Sequence, residues 1–197
     1  MAYWLKYKKS GIISGVGIIP NASEDKSIFA HMILWHNMKP SVYIKTTIPS
    51  FYHEVRTEPE MVARRLWTRE WWDHHRSRYE VFTSEAVIEE LEMGSFPIKN
   101  DALALIESLP LLDINEAIAD AVAVYIAHYV MPNDPVGDAL HLAIASFHKC
   151  DFLLTWNCRH LANANKFGHI RRVNTLLGFF VPALVTPLEL LGETESL

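Results

Sequence analysis

Asp138-Ala-Leu-His-Leu-Ala-Ile-Ala145, followed by Phe152-Leu-Leu-Thr-Trp-Asn157, is the stretch on which the reading of this 197-residue chain turns. An acid opens a helix of small and apolar residues. A short apolar run then ends in a polar tip, as a strand buried on both faces does. In an open α/β sheet, ligands gather where strands finish and helices begin. Asp138 and Asn157 stand at those two kinds of position, so the chemistry is sought between them.

The flanking sequence repeats the same alternation. Val42-Tyr-Ile-Lys-Thr46 is β-branched and aromatic and reads as the first strand, broken by Ile48-Pro-Ser50. Pro59 suits a first helical turn. From there to Tyr79, Met61, Ala63, Leu66, Trp67, Trp71 and Trp72 predict a long helix by their spacing. Val81-Phe-Thr83 is a second strand, and Ser84 is placed to cap a helix that stops at Gly94. Ala102–Leu109 reads as a short helix and Leu111-Leu-Asp-Ile114 as a third strand. Asn115 caps a helix running to about Val130. The loop Met131–Gly137 delivers Asp138 to a helix that extends to Lys149. Phe152–Thr155 is a strand, Asn157–Asn165 is helical, and Leu184–Thr186 is a last strand before a turn begun by Pro187. Such alternation argues for an α/β fold, a mainly parallel sheet of four or five strands covered on both faces.

Half of the residues are hydrophobic and 21% are charged, the balance of a globular chain. The formal net charge of -5 gives no global basic signal for nucleic acid, although a local patch can supply the field. Cys150 and Cys158 form neither a CxxC nor a zinc pattern, and they read as reduced thiols of a cytoplasmic protein. No apolar run is long enough for a membrane span. Residues 1–37 differ from the rest, with Gly, Ser and Asn and little periodicity. Met38 offers an alternative start, so this N-terminal extension reads either as translation from an early start codon or as an appendage, the first being favoured. The basic and Gly-rich run Lys6–Ile19 is only a loose match to a signal peptide. The domain is expected over residues 38–197.

Tyr43-Ile-Lys-Thr-Thr-Ile-Pro-Ser-Phe51, Ser84-Glu-Ala-Val-Ile-Glu-Glu-Leu91, Asp138-Ala-Leu-His-Leu-Ala143 and Leu154-Thr-Trp-Asn157 resemble, in order and spacing, the four motifs of a PIN domain. The resemblance is to the bacterial branch of VapC-type toxins of toxin–antitoxin pairs, and spans roughly residues 40–192. It implies a PIN-like three-layer α/β/α sandwich and a metal-dependent ribonuclease. Hard Mg²⁺ or Mn²⁺ ions prefer oxygen ligands. A metal-bound water is a usable nucleophile, and the ion offsets phosphoryl charge. The resemblance carries Glu90 to the acid of the second motif, Asp138 to the third and Asn157 to the fourth. All three are implied metal-site residues. Thr47 and Thr155 match hydroxyl residues beside the site. RNA is the implied substrate, with a protein antitoxin and a homodimer as implied partners.

Lys45 departs from the family pattern, which places an acid there. An ammonium group has no acceptor and cannot ligate a metal while protonated. Two readings follow. In one, Glu90 and Asp138 still hold the metal, aided by waters, and Lys45 contacts a phosphate. In the other, Lys45 takes the metal's place between Glu90 and Asp138, leaving a PIN-fold binding module impaired in catalysis. Each residue also has a plain structural reading. Glu90 belongs to a surface acid pair, Asp138 suits a helix dipole, and Asn157 suits an N-cap. The Arg64–Arg78 segment with its tryptophans reads as core rather than as a stacking surface for RNA. His141, one turn after Asp138, is placed to line the cleft, although a packed histidine is the favoured reading. His74-His75 is a poor metal clamp. Arg159, Arg171 and Arg172 are candidate phosphate contacts, and Glu54 is a candidate to fold back to the cleft. Without GxGxxG, P-loop or GxSxG patterns, a small-molecule α/β enzyme has little support.

Overall fold

Four short strands with alternating or continuous apolar character pair in one parallel sheet: β1 (Ser41–Ile44), β2 (Glu80–Phe82), β3 (Phe152–Leu154) and β4 (Ala183–Val185). The computed structural model describes residues 39–94 and 97–192. The order across the sheet is β2-β1-β3-β4, with every neighbouring pair parallel. Parallel neighbours need crossovers, and the helices supply them. They are α1 (Thr47–Tyr52), α2 (Pro59–Glu70), α3 (Glu85–Met93), α4 (Lys99–Ile106), α5 (Glu116–Ala127), α6 (Asp138–Phe147) and α7 (Ala164–Leu177). The architecture is α/β, compatible with a three-layer α/β/α sandwich.

Burial follows from the topology. Val42, Tyr43 and Ile44 of β1 and Leu153 and Leu154 of β3 have no exposed surface, as expected of central strands covered on both faces. Helix α6 is built of small and apolar residues because it too is nearly engulfed: Ala139 and His141 through Ser146 are all buried. It packs against α5, whose Ile118, Ala121, Val122 and Tyr125 are buried.

Several elements differ from the sequence expectation. The long helix after Pro59 ends at Glu70, continues as a π turn over Trp71–His75 and tightens to a 3₁₀ turn over Arg76–Arg78. Trp71 and Trp72 are buried in the core, as expected, while Arg69 and Arg78 of the same segment are exposed. Leu111–Ile114 is not a strand. Only Leu111 bridges, to Thr83, while Thr83 N–H and Leu112 N–H donate to the Pro110 and Thr83 carbonyls. Ser84 does not cap α3 with its side chain; its hydroxyl faces Tyr43 instead. Asn115 does cap α5, accepting from the Ile118 amide at 3.2 Å. That helix stops at Ala127, and Tyr129 adopts a left-handed backbone. Helix α4 starts at Lys99, earlier than the apolar spacing suggested.

The expected helix over 157–165 is a turn. The Asn157 side-chain oxygen accepts from the Arg159 and His160 amides, a local bond that competes with helix formation. The helix begins only at Ala164, where Asn163 caps it, and ends at Gly178, whose φ of 70° provides the left-handed closure. The N-terminal extension and the boundary at residue 38 lie outside the described residues.

Candidate functional site

Strand β1 ends at Ile44, and the next residue, Lys45, still pairs through its backbone, its amide donating to the Leu154 carbonyl at 3.1 Å. Its side chain is only 6% exposed. The loop after β2 leads into α3, which carries Glu90 in its second turn. The loop Met131–Gly137 ends with Asp138 as the first residue of α6. A Cβ at Gly137 would lie 2.5 Å from the carboxylate of the exposed Asp134, whose side chain holds the Val136 amide and would have to shift. Asn157 follows β3. Thus four side chains, remote in sequence, meet beyond the carboxyl ends of the strands.

Lys45 Nζ lies 3.3 Å from Glu90 Oε1 and 3.3 Å from Asp138 Oδ1. The other oxygens are also engaged. Glu90 Oε2 accepts from the Thr46 hydroxyl and from His141 Nε2, the latter at 3.1 Å. Asp138 Oδ2 accepts from Asn157 Nδ2 at 2.6 Å. Burial alone would push the Glu90 carboxyl up; the His141 hydrogen bond, the Lys45 charge and the Thr46 hydroxyl outweigh it and hold it at about 2, against an ordinary 4.5. Glu90 is the open member, with 37% of its side chain exposed against 10% for Asp138.

The two threonines form a hinge under Asn157. Thr47 and Thr155 share a hydroxyl contact of 3.2 Å. Thr47 accepts from the Trp156 amide at 2.9 Å and Thr155 from the Asn157 amide at 3.0 Å. Asn157 is therefore fixed at both ends, its oxygen in the turn and its amide on Asp138. Trp156 continues the support: its indole donates to the buried Thr68 hydroxyl at 2.8 Å and stacks on Trp67. Arg64 lies over the Phe51 and Trp156 rings.

Other candidates fall elsewhere. Glu54 pairs with Arg56 and accepts from the Val55 and Arg56 amides, which uses its carboxylate locally. Arg65 and Arg69 clamp the α1–α2 loop by donating to the Glu54 and Tyr52 carbonyls. Arg159, Arg171 and Arg172 are exposed.

Three participants were not singled out from sequence: Thr46, Tyr43 and Ser84. His141 was read as packed; it is fully buried, and both its ring nitrogens are also hydrogen-bonded. Strand periodicity carried part of the signal, since Tyr43 and Lys45 share a face of β1. Helical periodicity carried the rest, since His141 lies three residues after Asp138.

The expected Mg²⁺ or Mn²⁺ does not fit this arrangement. An ammonium group holds the place between the two carboxylates, and Asn157 turns its amide rather than its oxygen toward Asp138. Among the described residues, no group of three or more His, Cys, Asp or Glu side chains is arranged to hold a metal ion. No described helix is long and apolar enough to cross a membrane. No protein-family model matches this chain, and no curated protein matches it.

Proposed function

We propose that this chain is a PIN-like module, resembling VapC-type toxins, that binds RNA at the carboxyl edge of its sheet, with Lys45 in place of a catalytic metal. One observation carries the reading: the Lys45 ammonium sits 3.3 Å from both acids that the family motifs would assign to metal. A fixed cation there neutralises part of the cleft without the exchangeable ion and water that hydrolysis would need. RNA enters through the resemblance, together with a cytoplasmic setting and a protein antitoxin or a second copy as partners.

Metal-dependent RNA phosphodiester hydrolysis is the second reading. It is favoured by the length of the Lys45 contacts, 3.3 Å rather than the 2.7–2.9 Å usual for charge-assisted bonds. It is favoured also by the open side of Glu90. That reading keeps Glu90 and Asp138 as the metal-binding acids and requires Lys45 to leave the cleft.

Single-stranded RNA separates the two. Binding by fluorescence anisotropy and cleavage on gels are followed with Mg²⁺, with Mn²⁺ and with EDTA. The leading reading expects binding that survives EDTA and no cleavage, with metal-dependent cleavage appearing in Lys45→Glu. Cleavage by the wild type that needs metal and stops in Asp138→Ala overturns it in favour of hydrolysis. Absence of RNA binding in every condition overturns both.

A further inference from the structure

We infer that His141 is a positioning residue for Glu90: it donates from Nε2 to the carboxylate, accepts from Tyr43 at Nδ1, and so fixes the acid that the cleft presents to a ligand. The inference rests on reading the Lys45–Glu90–Asp138 cleft as the binding site.

A fully buried imidazole sits between two groups on different elements. Its Nδ1 lies 2.8 Å from the Tyr43 hydroxyl on β1, and its Nε2 lies 3.1 Å from Glu90 Oε2 on α3. Tyr43 in turn lies 2.7 Å from the Ser84 hydroxyl at the end of β2. Tyr43, Ser84 and His141 have no exposed surface. The charged and titratable groups around the relay are Glu90, Lys45, Asp138 and the buried Cys150 thiol.

For a neutral ring, one arrangement of protons satisfies this chain. An ionised Glu90 can only accept, so Nε2 must carry a proton. A neutral ring protonated at Nε2 has its lone pair on Nδ1, facing the Tyr43 hydroxyl. Burial keeps Tyr43 protonated, and its hydroxyl is the donor at Nδ1. The Tyr43 oxygen is left to accept from Ser84. Donation therefore runs from Ser84 to Tyr43 to His141 to Glu90. Outer partners that orient a metal-ligating carboxylate change metal affinity by about 10- to 100-fold when removed, and the lower figure sets the scale expected for a carboxylate that orients RNA groups.

Nitrogen-15 spectra of the histidine rings at pH 7 test the relay on the protein alone. The expected spectrum of His141 shows a proton on Nε2 and a bare Nδ1. Tyr43→Phe should move the Nδ1 resonance toward that of a nitrogen without a hydrogen bond. A proton on Nδ1, or an Nδ1 resonance unmoved by Tyr43→Phe, overturns the inference. The function of the relay is read from RNA affinity. His141→Phe should weaken binding about 10-fold. His141→Gln, whose amide can both donate and accept, should recover most of it. Equal loss in both variants, with both folded by circular dichroism, overturns the positioning role. The spectra need no RNA, so a failed RNA-binding proposal and a failed relay give different results.

Discussion

Replacing Lys45 by methionine removes one charge and little volume, and the consequence can be worked from the geometry. Glu90 Oε1 and Asp138 Oδ1 each lie 3.3 Å from Nζ. With the ammonium gone, two carboxylate oxygens face one another at no more than about 6.6 Å, where unit charges repel by at least about 2.5 kcal/mol at an effective dielectric near 20. Removing one partner of a buried pair typically costs about 3–5 kcal/mol. Glu90 is more than a third exposed, so water screens part of the repulsion. The net loss expected at pH 7 is about 2 kcal/mol, read as a shift in the urea midpoint with an unchanged slope. The sign with pH is fixed by Glu90, whose folded pKa is depressed from 4.5 to about 2. Its stabilisation is present above 4.5 and is lost as the pH falls toward 2. Lys45 supplies part of that stabilisation, so the gap between wild type and Lys45→Met should narrow over this window. Adding Glu90→Gln to Lys45→Met should recover stability at pH 7. A Lys45→Met protein as stable as wild type at pH 7, with no narrowing in acid, would refute the counter-ion role of Lys45.

Asn157→Asp sets a second carboxylate against Asp138 Oδ2, where the amide now donates at 2.6 Å. It should lower stability at pH 7 by about 2 kcal/mol, with the penalty easing in acid as the pair takes up a proton, measured by urea unfolding at pH 7 and pH 4. Thr68→Val keeps the shape of a buried side chain but leaves the Trp156 indole N–H without its acceptor. A loss of about 1–3 kcal/mol is expected, together with a change in tryptophan fluorescence. A thiol reagent should modify the exposed Cys158 in the native protein and reach the buried Cys150 only on unfolding. Burial pushes the Cys150 thiol up to about 12, which adds to its protection. Mass spectrometry of the labelled peptides checks the order, and early labelling of Cys150 would contradict it.

The local pattern of this chain determined its class and much of its order. Apolar runs flanked by turn residues marked the four strands, and the central β1 and β3 are the most buried because both of their faces are covered. Capping chemistry marked Asn115, because a helix start leaves amides that a short polar side chain can satisfy. The failures were places where a local signal met a tertiary alternative. Leu111–Ile114 has the composition of a strand, but only one residue finds a partner at the edge of β2. Asn157 looks like the start of a helix, but its side chain closes a turn and reaches back to Asp138.

By itself, the sequence determined which residue types stand at the ends of the strands, including the lysine that follows β1. Only the tertiary structure decided that Lys45, Glu90, Asp138 and Asn157 share one cleft, that the ammonium lies between the acids, and that His141 and Thr46 hold the more exposed one. The physical reason is that periodicity and capping act over a few residues of chain. Which charges face one another is set by crossovers that bring together residues far apart in sequence, 45 positions in the case of Lys45 and Glu90.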